Sequence, residues 1–148
     1  MEEIKRYKTS DLVLKVDKNY DPTQLPLQVW DRYLDILVNG RNYQKEAIID
    51  TVIFFASELY KNTSDLVERN WNRSSNIELK NRYSDLDDYL HHLQIPTKLS
   101  ASIDLATGTG KSYVIYGIAQ IMLGLGLVDR VLVLCPSLTI EDGLTEKF

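Results

Sequence analysis

Seven residues, "ATGTGKS" at positions 106–112, lie between two apolar runs and constrain this chain more than any other stretch. Upstream, "LSASIDLA" reads as a strand. Downstream, "SYVIYGIAQIML" reads as a helix, "GLGLVD" turns the chain, and "RVLVLCP" is an apolar run of the kind buried in parallel sheets. Strand, glycine loop, helix and second strand in that order make a βαβ unit, which predicts an α/β fold: a parallel sheet with flanking helices. A phosphate loop is written as glycine, four residues, glycine, lysine, then a hydroxyl residue. Counted back from Gly110, the first glycine position holds Leu105, so only the second half of the pattern is met. That half carries the chemistry. Gly108 and Gly110 can take backbone angles that let successive N–H groups converge on phosphate oxygens. Lys111 directs a charge toward the β and γ phosphates, and Ser112 offers a hydroxyl to magnesium. The helix that starts there adds its partial positive end. Thr107, Thr109 and Tyr113 complete the expected nucleotide-binding segment; Tyr113 packs either beside the nucleotide or into the core.

The rest of the chain reads as helical. "PLQVWDRYLDILVNGR" has Pro26 in its first turn and Gly40 near its end. "NYQKEAIIDTVIFFASELYKN" is a stronger helix, with Ala47, Ile48, Val52, Phe55 and Leu59 in one stripe and Ile49, Ile53 and Phe54 widening it. Residues 12–16 read as a short strand, so residues 1–40 form a strand-and-helix extension. Between 61 and 98 the sequence is charged, and Leu79, Tyr83, Leu86, Leu90 and Leu93 recur at steps of four, three, four and three. That spacing predicts one face of a single helix ending before Pro96, and residues 61–98 are expected to be a helical insertion against the main body.

Composition narrows the classes further. At 148 residues and 44% hydrophobic, the chain suits one compact domain. With 17 basic against 21 acidic residues and a net charge of −4, it has no global attraction to nucleic acid. Its single cysteine, Cys135, cannot form an internal disulfide, which together with the lack of a signal or membrane-spanning run predicts a cytoplasmic setting. "NTS" at Asn62 and "NRS" at Asn72 fit a glycosylation pattern that a cytoplasmic chain would not use. Other chemistry-bearing residues read as structural. His91 and His92 are adjacent, so their rings diverge on a helix, and each follows an aspartate by four residues, Asp87 and Asp88. Cys135 ends an apolar run and reads as core, as does Trp30; Trp71, with Arg69 and Arg73 close by, keeps a modest claim to contact nucleic acid or a partner.

Three stretches together resemble a known family. "ATGTGKS" resembles motif I of the superfamily 2 helicases and translocases. "RNYQ" at residues 41–44 resembles their glutamine motif, and "RVLVLCPSLTI" resembles motif Ia. The set is most similar to the helicase-like restriction subunit of type III systems, over residues 41–62 and 99–148. The resemblance implies residues 41–148 as a partial RecA-like helicase domain, an N-terminal fragment of a P-loop NTPase, interrupted by 61–98. It implies ATP and Mg2+ as cofactors, DNA as substrate, and a methyltransferase or specificity subunit as partner. By the same resemblance Gln44 reads the adenine, with Tyr43 or Arg41 packed near the base. Residues 108–112 hold the phosphates, with Lys111 and Ser112 assigned the catalytic work and Ser112 the metal. Pro136, Ser137 and Thr139 lie on the nucleic-acid track, where contacts position a strand without reading it.

Two departures qualify this picture. Gln44 and Lys111 stand farther apart than the family's motifs, and the charged tract fills the difference. The acidic D-E-x-H box that should follow motif Ia is absent from the sequence. These residues alone are therefore expected to bind nucleotide weakly and not to hydrolyse it usefully. Two other classes stay open: a small P-loop kinase or switch enzyme, for which Lys111 and Ser112 serve equally, and an interaction module working through 61–98.

Overall fold

The structure, a computed structural model, describes residues 14–73, 77–106 and 108–134. It divides into two compact units, one from Lys18–Ser57 with Ser102–Phe148, the other from Met1–Asp17 with Glu58–Ala101.

In the first unit a 3-10 turn at Leu27–Trp30 leads into helix α1, Asp31–Val38. Asn39 (φ 47°) and Gly40 (φ 79°) then reverse the chain in left-handed conformation, the stop that the glycine signals. Helix α2 follows at Asn42–Ala56, and its Gln44, Ile48 and Val52, one turn apart, are all buried. Helix α6, Lys111–Gly124, closes the unit with Val114, Gly117, Ala119 and Ile121 inside. Its end is a left-handed stop at Gly126, with Leu127 N–H donating back to the Met122 carbonyl at 2.9 Å.

Two glycines set how closely α6 can be approached. A Cβ at Gly117 would lie 2.6 Å from Ile48 Cδ1 and 3.0 Å from Leu37 Cδ2, and one at Gly124 would lie 2.5 Å from the Trp30 ring. Trp30 packs edge-on against Tyr33 with ring centroids 5.5 Å apart, so it is the packing residue its sequence context predicts. At the surface, Lys45 of α2 reaches Asp35 at 2.6 Å and Asp31 at 3.3 Å on α1.

The expected parallel sheet is not there. Among the described residues there is no strand: neither 99–106 nor 130–134 joins a ladder, and no backbone hydrogen bond links the two. A strand is defined by its neighbours. Two parallel segments alone form the least stable pairing, and a parallel sheet needs both faces covered. The run chosen for burial instead lies open, with Leu132 82% and Leu134 83% exposed.

The second unit holds helices α3 (Thr63–Trp71), α4 (Ile77–Arg82) and α5 (Leu86–His91). Val67, Leu79 and Tyr89 form its core, with Leu14, Trp71, Tyr83, Leu86, Leu90 and Leu93 packed around them. All five residues of the predicted stripe are in that cluster, yet no single helix carries them: Leu79 is on α4, Leu86 and Leu90 are on α5, and Tyr83 and Leu93 lie just beyond the ends of the two helices. The break has a local cause. Asp85 accepts from the Asp88 N–H at 2.8 Å while Asp88 accepts from the Ser84 N–H at 3.0 Å, a reciprocal cap that starts a new helix. The histidine rings turn inward to their own helix, their Nδ1 atoms 2.6 Å and 2.7 Å from the Asp87 and Asp88 carbonyls. Among the described residues no group of His, Cys, Asp and Glu could hold a metal ion.

The short strand expected at 12–16 lies partly outside the described residues; its remainder pairs with a side chain instead. Asn70, fully buried, accepts from Lys15 N–H at 2.7 Å and donates to the Lys15 carbonyl at 2.9 Å, with a further bond to Leu66 at 2.8 Å. A carboxamide thus stands in for a neighbouring strand. Tyr60 hydroxyl takes the Asp17 N–H at 2.8 Å, and Arg73 reaches the Asp17 carboxylate at 3.5 Å.

Two stability outcomes follow from these contacts. Asn70→Ala removes the partner of the Lys15 N–H and leaves the Lys15 carbonyl only the long Arg73 contact at 3.4 Å, and should cost about 2–4 kcal/mol in denaturant unfolding. Asn70→Asp, which sets an oxygen against the Lys15 carbonyl, should do no better than alanine. At the glycines, Gly117→Ala meets two methyl groups that can rotate away, and the helix gains about 1 kcal/mol of propensity from the alanine. Gly124→Ala meets a rigid indole. It should therefore be the more destabilising, by about 1–2 kcal/mol over Gly117→Ala in thermal or chemical melts.

Candidate functional site

The site is where α2 begins and α6 begins. Gly108 (φ 78°) and Gly110 (φ 80°) both adopt the left-handed conformation that a side chain disfavours, and Gly110 is the residue from which α6 starts. Between them Thr109 is tied back to Ala106, its N–H at 3.3 Å and its hydroxyl at 2.5 Å from that carbonyl. Among the described residues nothing lies within 4 Å of the position a Cβ at Gly108 would take. Lys111 and Ser112, the first residues of α6, follow directly; Lys111 is exposed and Ser112 half-buried.

Tyr43 and Gln44 meet this loop from α2. Both donate to one acceptor, the Thr109 carbonyl: Tyr43 through its hydroxyl at 3.1 Å, and Gln44 through its amide Nε2. Gln44 is fully buried, and its Oε1 is a buried acceptor with no hydrogen-bond partner among the described residues. On the opposite side Gly110 leaves no room. A Cβ there would collide with the Gln44 amide nitrogen and press on Tyr113 Cδ2 at 3.2 Å. The glycine is required twice, by its φ and by the glutamine beside it.

The structure therefore brings together Tyr43, Gln44, Thr109, Gly110 and Tyr113, with Lys111 and Ser112 continuing from them. Arg41 is exposed at the head of α2, and among the described residues it makes no hydrogen bond or ion pair with the loop. Thr107, Pro136, Ser137 and Thr139 lie outside the described residues, as does Cys135.

Sequence reasoning placed Gln44 beside a base and missed that its amide nitrogen goes to the loop's own backbone. The signal was present. Gln44 falls on the same stripe as Ile48 and Val52, and a carboxamide on a core face needs a partner inside. The role of the Tyr43 hydroxyl has no such signature, since its acceptor is a main-chain atom 66 residues away.

The chemistry of this donor set suits an anion. The loop has glycines at positive φ, an exposed lysine and the positive end of a 14-residue helix, where the Tyr113 N–H already closes on the Gly110 carbonyl at 3.0 Å.

Residues 37–148 match the family model of the type III restriction enzyme res subunit. No curated protein and no solved structure matches the chain.

The double requirement at Gly110 can be measured. Gly110→Ala should destabilise the chain by about 2–3 kcal/mol, from the disfavoured φ and the collision with Gln44. In a Gln44→Ala background the collision with the amide is gone while the φ cost and the Tyr113 contact remain, so a double-mutant cycle should show about 1 kcal/mol of coupling. Strict additivity would mean that the amide and the glycine do not compete for the same space.

Proposed function

Since the chain belongs to the type III restriction enzyme res subunit family, a helicase-like ATPase family, we propose that it is the ATP-binding part of a DNA-dependent translocase. One observation carries this reading: two donors from "RNYQ" fasten the loop "ATGTGKS" through the Thr109 carbonyl, so two motifs far apart in sequence form one site.

Bound ATP with Mg2+ would supply the cleavable phosphoanhydride and a divalent charge to neutralise it. The residues present fit such a ligand. Lys111, exposed at the start of α6, meets the β and γ phosphates as a point charge, and Ser112 presents its hydroxyl to the metal. The Gly110 N–H and the positive end of α6 attract phosphate oxygens without desolvating a side chain. Gln44 keeps one free valence for the base. Its Nε2 is engaged by Thr109, whereas its Oε1 is an acceptor matched to adenine's exocyclic amine. Because Gln44 is fully buried, the base reaches that oxygen only when the covering side chains shift.

The family relationship supports DNA and a methyltransferase subunit as partners of the whole enzyme, with Pro136, Ser137 and Thr139 as the proposed contacts to the sugar-phosphate chain. No helix among the described residues is long and apolar enough to cross a membrane, and a cytoplasmic enzyme is the proposal that fits.

Calorimetric titration of the 148-residue chain with MgADP tests the reading. A weak site is expected, with Kd on the order of tens of micromolar or weaker, ADP and ATP alike, because no D-E-x-H carboxylate is in this sequence to hold the metal. Lys111→Ala should weaken binding at least about tenfold, the loss of a charge-assisted contact. Steady-state hydrolysis with DNA present should stay far below about one turnover per second. Binding indifferent to Lys111, or fast turnover that depends on it, would overturn the proposal.

A further inference from the structure

Tyr43 and Gln44 are consecutive residues, and side chains one apart on a helix diverge by about 100°. That both nonetheless end on one carbonyl means the Thr109 oxygen lies between them and uses both lone pairs. The geometry fixes more than an oxygen. A trans peptide is planar, with its C=O and N–H on opposite sides, and there is no cis peptide bond in the described chain. Holding the Thr109 carbonyl toward α2 therefore turns the Gly110 N–H away from α2. Among the described residues that N–H has no acceptor.

The loop needs such a hold. The 109–110 peptide turns about Thr109 ψ and Gly110 φ; the Thr109 bonds to Ala106 hold its N–H and hydroxyl but not its carbonyl, and glycine takes φ of either sign at similar cost, so Gly110 sets no barrier to a half-turn of this peptide. Rotated, it would present a carbonyl oxygen where a phosphate oxygen should be, and anion binding would fail. Two donors from outside the loop select one orientation.

We infer that Tyr43 and Gln44 together form a latch on the 109–110 peptide, and that the Tyr43 hydroxyl is a positioning group for phosphate binding, acting through Thr109 rather than by packing on the base. The inference rests on the nucleotide reading above. Tyr43 is the half of the latch that can be opened cleanly: it is 44% exposed, so removing its hydroxyl leaves no cavity, whereas Gln44 lies fully inside.

Tyr43→Phe keeps the ring and deletes only the hydroxyl. Titrating wild-type and variant full chains with MgADP, inorganic tripolyphosphate and adenosine separates the two roles. The latch predicts that Tyr43→Phe weakens ADP and tripolyphosphate by the same factor, about three- to tenfold for one lost hydrogen bond, with adenosine unchanged. Wild-type affinity for both phosphate probes, or a loss confined to adenosine, would overturn it. A second readout needs no ligand. In the apo chain, Tyr43→Phe should move or broaden the Thr109 13C carbonyl and Gly110 amide resonances while those of α1 stay in place. Unmoved resonances refute the latch even if the wild-type chain binds no nucleotide. Failure of ADP to bind the wild type, with these resonances displaced as expected, would instead remove the nucleotide reading and leave the latch as a loop-orienting contact.

Discussion

How near α2 can come to α6 decides what happens at the loop, and Gly117 sets that distance. The absent side chain leaves room for Ile48 and Leu37. One turn back along α2 from Ile48 is Gln44, and about two turns back along α6 from Gly117 is Gly110. The amide and the loop meet because the helices have already met. A residue larger than alanine at Gly117 would push α2 outward and lift Gln44 from the Thr109 carbonyl, although it touches neither. Interiors packed this closely have little slack to absorb such a shift. The same logic repeats at the other end of α6, where Gly124 accommodates the Trp30 ring.

Much of this was legible in the sequence where the signal was local. Glycines before a lysine and an apolar helix announce a left-handed loop opening a helix, and Gly108, Gly110 and α6 are that. The spacing of Leu79, Tyr83, Leu86, Leu90 and Leu93 identified five residues sharing one core. What it could not show was the break, because a helical period continues through a kink if the two pieces present the same face to one cluster. The cap was nevertheless written in "SDLDD", an acceptor followed three residues later by a carboxylate.

The sheet fails for a different reason. Apolar runs such as "VLVLC" report a wish for burial, not the presence of a partner, and a ladder exists only between two chains that supply it. Residues 130–134 keep their apolar side chains and find no such neighbour among the described residues. At Lys15 the shortage is met by a carboxamide, which sets a donor beside an acceptor as a neighbouring peptide would. No propensity scale anticipates that substitution, since Asn70 is 55 residues away and sits on a helix.

The two tryptophans have fallen one to each unit. Trp30 lies with its indole against Gly124 and edge-on to Tyr33, while Trp71 packs on the Val67, Leu79 and Tyr89 cluster. The chain carries no other. Its intrinsic fluorescence is therefore a sum of two separable lamps, and replacing either indole with phenylalanine leaves a spectrum that follows one unit alone. Whether the halves melt as one cooperative body or in sequence can be read optically, with no label attached.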